Sequence, residues 1–152
     1  MNVNKIAIFI ASCGGLGHSR WMPGTMGSVG AMIAQYGLRT VLSLEILVFL
    51  GICMTGLGFW ATCRSITSPT EDPSWIVIDE WCAVWFMCCA LLYVEWCYLL
   101  GCFIFRILDI AKTWPVSLAE RAPGAWGIFL DDFVAAFLTV IFLSCCAIPA
   151  IL

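Results

Sequence analysis

The sequence predicts an all-α fold, a membrane-embedded helical bundle with hairpin helices and one polar active face. Three observations predict it. The 152 residues are 62% hydrophobic and only 11% charged, with a mean hydropathy of +1.00, whereas a soluble domain carries about 25% charged residues. Long apolar runs alternate with short polar loops. The few charges are also gathered: residues 103–133 hold three of the seven Lys/Arg (Arg106, Lys112, Arg121) and four of the ten acids (Asp109, Glu120, Asp131, Asp132). Charge taken out of water is costly unless it is paired, hydrogen-bonded or bound to a metal. A chain this poor in charge that collects it in one place points to chemistry there.

The length fits a single domain over residues 1–152. A net charge of -3 leaves no basic footprint for nucleic acid. The ten cysteines contain no C-x-x-C pair, and a single histidine is present, so neither a zinc site nor a disulfide framework is expected. Small buried hydrophobes in a reducing compartment are the reading. Residues 6–12 are apolar, but Cys13-Gly14-Gly15 leads into a polar loop rather than a cleavage site, so no cleavable signal is expected.

In chain order, residues 1–17 are a short apolar piece ending in glycines. Gly15-Leu16-Gly17 is a fragment of a dinucleotide fingerprint without its strand-turn-helix context, and His18 reads as a loop residue. Residues 22–36 place Pro23 ahead of small residues and two hydroxyls, the pattern of a helix N-terminus that Thr25 or Ser28 caps. Such a terminus suits a phosphate, and equally an ordinary capped helix. Residues 41–63, apolar apart from Glu45, are long enough to cross a bilayer core of about 30 Å. A polar loop over 64–75, punctuated by Pro69 and Pro73, leads to Ile76-Val77-Ile78-Asp79-Glu80 and a second apolar run to Phe105. Adjacent acids point about 100° apart on a helix, so one is free to bind a metal while the other orients water. Glu95, among Tyr93, Trp96 and Tyr98, reads as an interfacial turn. Arg106, Asp109 and Lys112, spaced i, i+3, i+6, predict a one-sided ladder that Trp114-Pro115 ends. Pro123-Gly124 makes a second break. Asp131-Asp132 stands at the start of a last apolar run, 133–152, long enough to span.

Three blocks, PGTMGS at 23–28, IVIDE at 76–80, and FRILDIAKTWPV through GIFLDD at 105–132, together resemble the phosphatidylglycerophosphatase A family. They occur in the family's order and cover the chain from about Gly15 to Val140. The sequence departs from the family pattern at Thr113, at Ala83, at Gly124-Ala125-Trp126 and at Ala135-Ala136, which are backbone or packing positions. The resemblance implies a multi-pass enzyme of the bacterial inner membrane in phospholipid biosynthesis. It implies Mg²⁺-dependent hydrolysis of the terminal phosphate of phosphatidylglycerophosphate, with the membrane and its phospholipid as partners.

Hydrolysis of a phosphate monoester needs charge neutralisation, a positioned water and stabilisation of the transferring group. Hard Mg²⁺ takes oxygen ligands. Asp79, Glu80, Asp131 and Asp132 supply two pairs of carboxylates; one member of each pair is expected on the metal and another on water. Arg106 and Lys112 are expected on phosphate oxygens with Asp109 orienting one of them, and Thr25 and Ser28 complete the cradle. A membrane cation carrier would use the same acids but leaves Arg106, Lys112 and the 23–28 turn without a role; a phosphatase for another lipid phosphate stays open.

This site constrains the topology. A straight helix through 82–105 would hold Asp79 and Asp109 about 45 Å apart. A hairpin turning between Leu92 and Tyr98 brings them level, with arms of about 22 Å, short for a full span. Arg106, Lys112 and Arg121 put the active face on the cytoplasmic side.

Overall fold

A computed structural model describes residues 3–68, 73–91 and 96–147. Among them every regular element is helical: α1 (Val3–Ala11), a 3₁₀ turn (Leu16–His18), α2 (Pro23–Leu38), α3 (Leu44–Ser65), α4 (Ile78–Ala90), α5 (Trp96–Ala111), α6 (Val116–Ala119) and α7 (Ala125–Phe142), which runs into a π turn (Leu143–Ala147). Two stretches, Leu44–Ser65 and Ala125–Cys145, are long and apolar enough to cross a membrane.

The bundle is built around α4, which packs against α2, α3 and α7. Its sequence explains this position. From Cys82 to Cys89 it carries no charge, and Cys82, Ala83, Val84 and Cys88 are inaccessible to solvent. Small thiols and alanines let three neighbours approach while Trp85 fills the remaining volume. The Trp85 indole donates to the Leu47 carbonyl at 2.9 Å, which satisfies a buried donor and locks α4 to α3. Ala83, Ala135 and Ala136 all fall at buried helix positions.

The start of α4 is fixed from outside the helix. The Val77 N–H donates to the Ala11 carbonyl at 3.0 Å, tying it to the end of α1. The His18 ring, at the end of the 3₁₀ turn rather than in a loop, stacks on Trp75 at 5.8 Å between centroids. The direction of Asp79 and Glu80 is therefore set before any charge interaction is made.

The hairpin is present as two separate helices, α4 and α5, that contact one another. The expected turn falls largely on residues 92–95, which with Glu95 lie outside the described residues. Two boundaries differ from expectation. Neither Thr25 nor Ser28 caps α2: the N-cap is Met22, with φ 45°, and Pro23 is the first helical residue, where its missing N–H costs nothing. The last helix begins at Ala125 rather than after Asp132, so the acid pair lies inside the final apolar helix, nearly two turns from its start. Gly124, at φ 60° and ψ -140°, makes the entry turn with a backbone that other residues rarely adopt.

Candidate active site

At one end of the bundle the C-terminal end of α5, the first turns of α2 and α4, and the second turn of α7 enclose a cavity of about 370 Å³. Seven of the nine site residues expected from the sequence line it: Asp79 and Glu80 from α4, Arg106 and Asp109 from α5, Lys112 just beyond α5, and Asp131 and Asp132 from α7. Thr25 and Ser28 do not. They line a neighbouring apolar groove, and the Ser28 hydroxyl is turned onto its own helix, donating to the Gly24 carbonyl at 2.9 Å. From the start of α2 the cavity is lined by Met22, Pro23 and Gly24.

Arg106 holds the two halves of the site together. Its Nη1 lies 3.2 Å from Glu80 Oε1 and 2.5 Å from Asp109 Oδ2. The first contact joins α5 to α4 across the hairpin; the second is an i, i+3 pair along α5. Lys112 takes a different course from the expected ladder. The helix ends at Ala111, Lys112 adopts φ 43°, and its ammonium reaches Glu120 Oε1 at 2.6 Å and Asp131 Oδ2 at 3.1 Å. Although burial opposes its charge, these two carboxylates raise the Lys112 pKa above its ordinary value.

The Asp79, Glu80 and Asp132 carboxylates each offer an oxygen within 4.8 Å of the others. Asp79 and Asp132 are 7% and 3% exposed, so three acids share a site with little water to separate their charges. Burial first, opposed by Arg106 and reinforced by Asp109, pushes the Glu80 carboxyl up to about 7. Its Oε2 is buried without a hydrogen-bond partner. Asp131 is held apart from the trio: Oδ2 faces Lys112, and Oδ1 accepts the Asp132 N–H at 3.0 Å. Five carboxylates thus face two cations around one cavity. An all-oxygen donor set with an excess of negative charge fits a hard divalent cation. Ionised carboxylates are also favoured near the positive end of a helix, where Asp79 and Glu80 sit in the first turn of α4.

Gly24 belongs to the site although it has no functional group. A methyl added there would run into Glu80 Oε1 and crowd Arg106 Nη1, so its absence lets the ion pair pass directly beneath the α2 terminus. Its signal in the sequence is Gly24 following Pro23 at a helix start.

The same residues stand in the blocks that carry the family pattern. A family model described as phosphatidylglycerophosphatase A matches residues 9–147. The chain belongs to the phosphatidylglycerophosphatase A family. It is 36% identical over 130 residues to phosphatidylglycerophosphatase A of Escherichia coli (strain K12), covering 82% of this chain and 74% of that one. It is 33% identical over 124 residues to the enzyme of that name from Haemophilus influenzae, covering 78% and 75%. A putative phosphatidylinositol-3-phosphatase of Bacteroides thetaiotaomicron is 30% identical over 146 residues, covering 91% and 92%. No solved structure matches the chain. Membership of the family makes the protein a phosphoric monoester hydrolase, and the cavity that gathers these acidic and basic residues is its candidate active site.

Proposed function

We propose that the protein removes the terminal phosphate of phosphatidylglycerophosphate in a Mg²⁺-dependent reaction, as one domain embedded in a bacterial cytoplasmic membrane. The observation that carries this reading is the single cavity in which Arg106 and Lys112 stand opposite a three-carboxylate cluster at the N-terminus of α2. A cation carrier would gain nothing from a guanidinium lodged against its acids.

Asp79, Glu80 and Asp132 would hold the Mg²⁺, which would supply charge neutralisation for the bound phosphate. The chain's own groups do the rest. Arg106, oriented by Asp109 and Glu80, and Lys112, oriented by Glu120, donate to phosphate oxygens. The Gly24 N–H at the start of α2 adds a donor, together with the positive end of the helix dipole. Asp131, outside the trio, accepts a hydrogen bond from the attacking water and aims it at phosphorus. Water is consumed, the P–O bond to the glycerol breaks, and the products are the lipid alcohol and inorganic phosphate. Positioning and electrostatics suffice for a transition state this loose.

Five of the seven Lys/Arg residues (Arg20, Arg64, Arg106, Lys112 and Arg121) lie at or next to the helix ends on the active side, whereas Arg39 is at the far end of α2. That asymmetry supports a cytoplasmic active face. A second substrate is favoured by the extent of the Bacteroides thetaiotaomicron match, namely phosphatidylinositol 3-phosphate. The test is phosphate release by the purified protein from each lipid in detergent with Mg²⁺. We expect turnover of phosphatidylglycerophosphate at least tenfold faster; preference for the inositol lipid would reassign the substrate, and turnover of neither would sink the reading.

A further inference from the structure

A second cavity, of about 590 Å³, lies between α2 and α5 and has nothing polar to do. Two facing helical stripes form it, with Met22, Val29 and Met32 on one side and Leu99, Phe103 and Ile107 on the other. Its few polar atoms are turned away or confined to one end: the Ser28 hydroxyl is bonded to Gly24, and Arg106 stands at the active-site end. The groove and the acidic cavity share Met22, Arg106 and Ile110 in their walls. The two lie side by side, one charged and one apolar, with Arg106 in the wall of both. The groove runs along α2 from Met22 to Met32, about 15 Å at the helical rise. Its rim is open, for Leu99, Phe103 and Ile107 are 68%, 65% and 50% exposed.

We propose that this groove holds one acyl chain of the lipid substrate and so sets the depth at which the phosphate meets the acidic cavity. The proposal rests on the reading that the substrate is a lipid phosphate. A long chain with a phosphate at one end matches the order of the compartments, apolar groove, Arg106, acidic cluster. An apolar chain gains little by leaving bilayer hydrocarbon for a protein groove, since the two are alike in polarity. The effect of the groove is positional: a chain lying between α2 and α5 brings its headgroup to Arg106 in one register, which converts loosely held lipid into oriented substrate.

Val29→Trp and Ile107→Trp each fill the groove from one wall, at residues that do not line the acidic cavity. Phosphate release is compared for dioleoyl phosphatidylglycerophosphate and for its deacylated headgroup, which has the same phosphates and no chains. Both variants are expected to lose at least tenfold in kcat/KM on the lipid and less than twofold on the headgroup. Equal losses on both substrates, or no loss on the lipid, would overturn the proposal. If the unmodified protein hydrolyses neither, the substrate assignment fails separately, and the groove is then judged by photolabelling. A phosphatidic acid and a phosphatidylcholine carrying the same mid-chain diazirine are compared in mixed micelles. Preferential labelling of the 22–32 and 99–111 peptides by the phosphatidic acid supports the groove, and equal labelling by both lipids overturns it.

Discussion

Arg106 and Glu80 are 26 residues apart in sequence and 3.2 Å apart in space. That ion pair closes the α4–α5 hairpin at its polar end and turns two halves of a sequence pattern into one site. Breaking a buried pair by removing one partner leaves an uncompensated charge and costs about 3–5 kcal/mol. Both side chains here keep some solvent contact, at 18% and 13% exposure, so a lower cost is expected. Arg106→Met should therefore lower stability by about 1–3 kcal/mol and abolish detectable phosphate release. Arg106→Lys should keep most of the stability and lose most of the activity, because an ammonium cannot bridge Glu80, Asp109 and a phosphate in one plane. Thermal unfolding in detergent and phosphate release, measured side by side, check both; an active Arg106→Lys variant would remove the guanidinium from the chemistry.

Asp79→Asn and Asp132→Asn should each reduce turnover by at least about 10²-fold while helical circular dichroism is retained. An amide keeps the shape of the carboxylate but not its charge, and relief of repulsion within the trio compensates for the lost interaction. Apparent Mg²⁺ affinity should fall in both. Undiminished turnover at saturating Mg²⁺ in both variants would take these residues out of the site.

The hairpin was legible because acids and bases flank an apolar run too long for its ends to meet otherwise. The acidic and basic partners were legible because charge is so scarce that each one stands out. Three things were not. An apolar run is recognised by its lack of charge, so the last helix was expected after Asp132; it begins at Ala125, after the Gly124 turn, and carries Asp131 inside it paired with Lys112 from beyond α5. The i, i+3, i+6 spacing extended the ladder to Lys112, but that residue leaves the helix at φ 43° to reach Asp131 and Glu120, partners that no local pattern names. Thr25 and Ser28 matched a cap, but Met22 and Pro23 set the helix start three residues earlier than a Thr25 cap would, which puts both residues in the groove wall facing α5.

Thr25→Val follows from that last point. The Thr25 hydroxyl oxygen is buried with no hydrogen-bond partner, and an unsatisfied buried polar group costs about 1–3 kcal/mol. The isosteric apolar side chain should raise stability by up to about 1 kcal/mol, with kcat and KM on the lipid changing less than twofold. A large rise in KM would show that the hydroxyl contacts the headgroup after all.

Gly24→Ala should reduce activity by at least about tenfold with a small loss of stability. The added methyl meets Glu80 Oε1 and Arg106 Nη1 rather than main chain, so the fold can yield while the ion pair cannot keep its place. Gly37, where an added methyl meets nothing, is the control on the same helix. If Gly37→Ala and Gly24→Ala behave alike, the close approach at Gly24 has no functional weight.

The central claim is that one cavity holds a divalent cation on Asp79, Glu80 and Asp132 and a phosphate on Arg106 and Lys112. Phosphorus-31 relaxation of inorganic phosphate, recorded with Mn²⁺ bound to the detergent-solubilised protein, reads both at once, because the paramagnetic ion acts only on phosphorus held close to it. The account predicts strong relaxation enhancement with the unmodified protein, its loss in Asp132→Asn, and its reduction in Lys112→Met with Mn²⁺ still bound. Mn²⁺ bound to the protein with no effect on phosphorus, or an enhancement that survives Asp132→Asn, would contradict it.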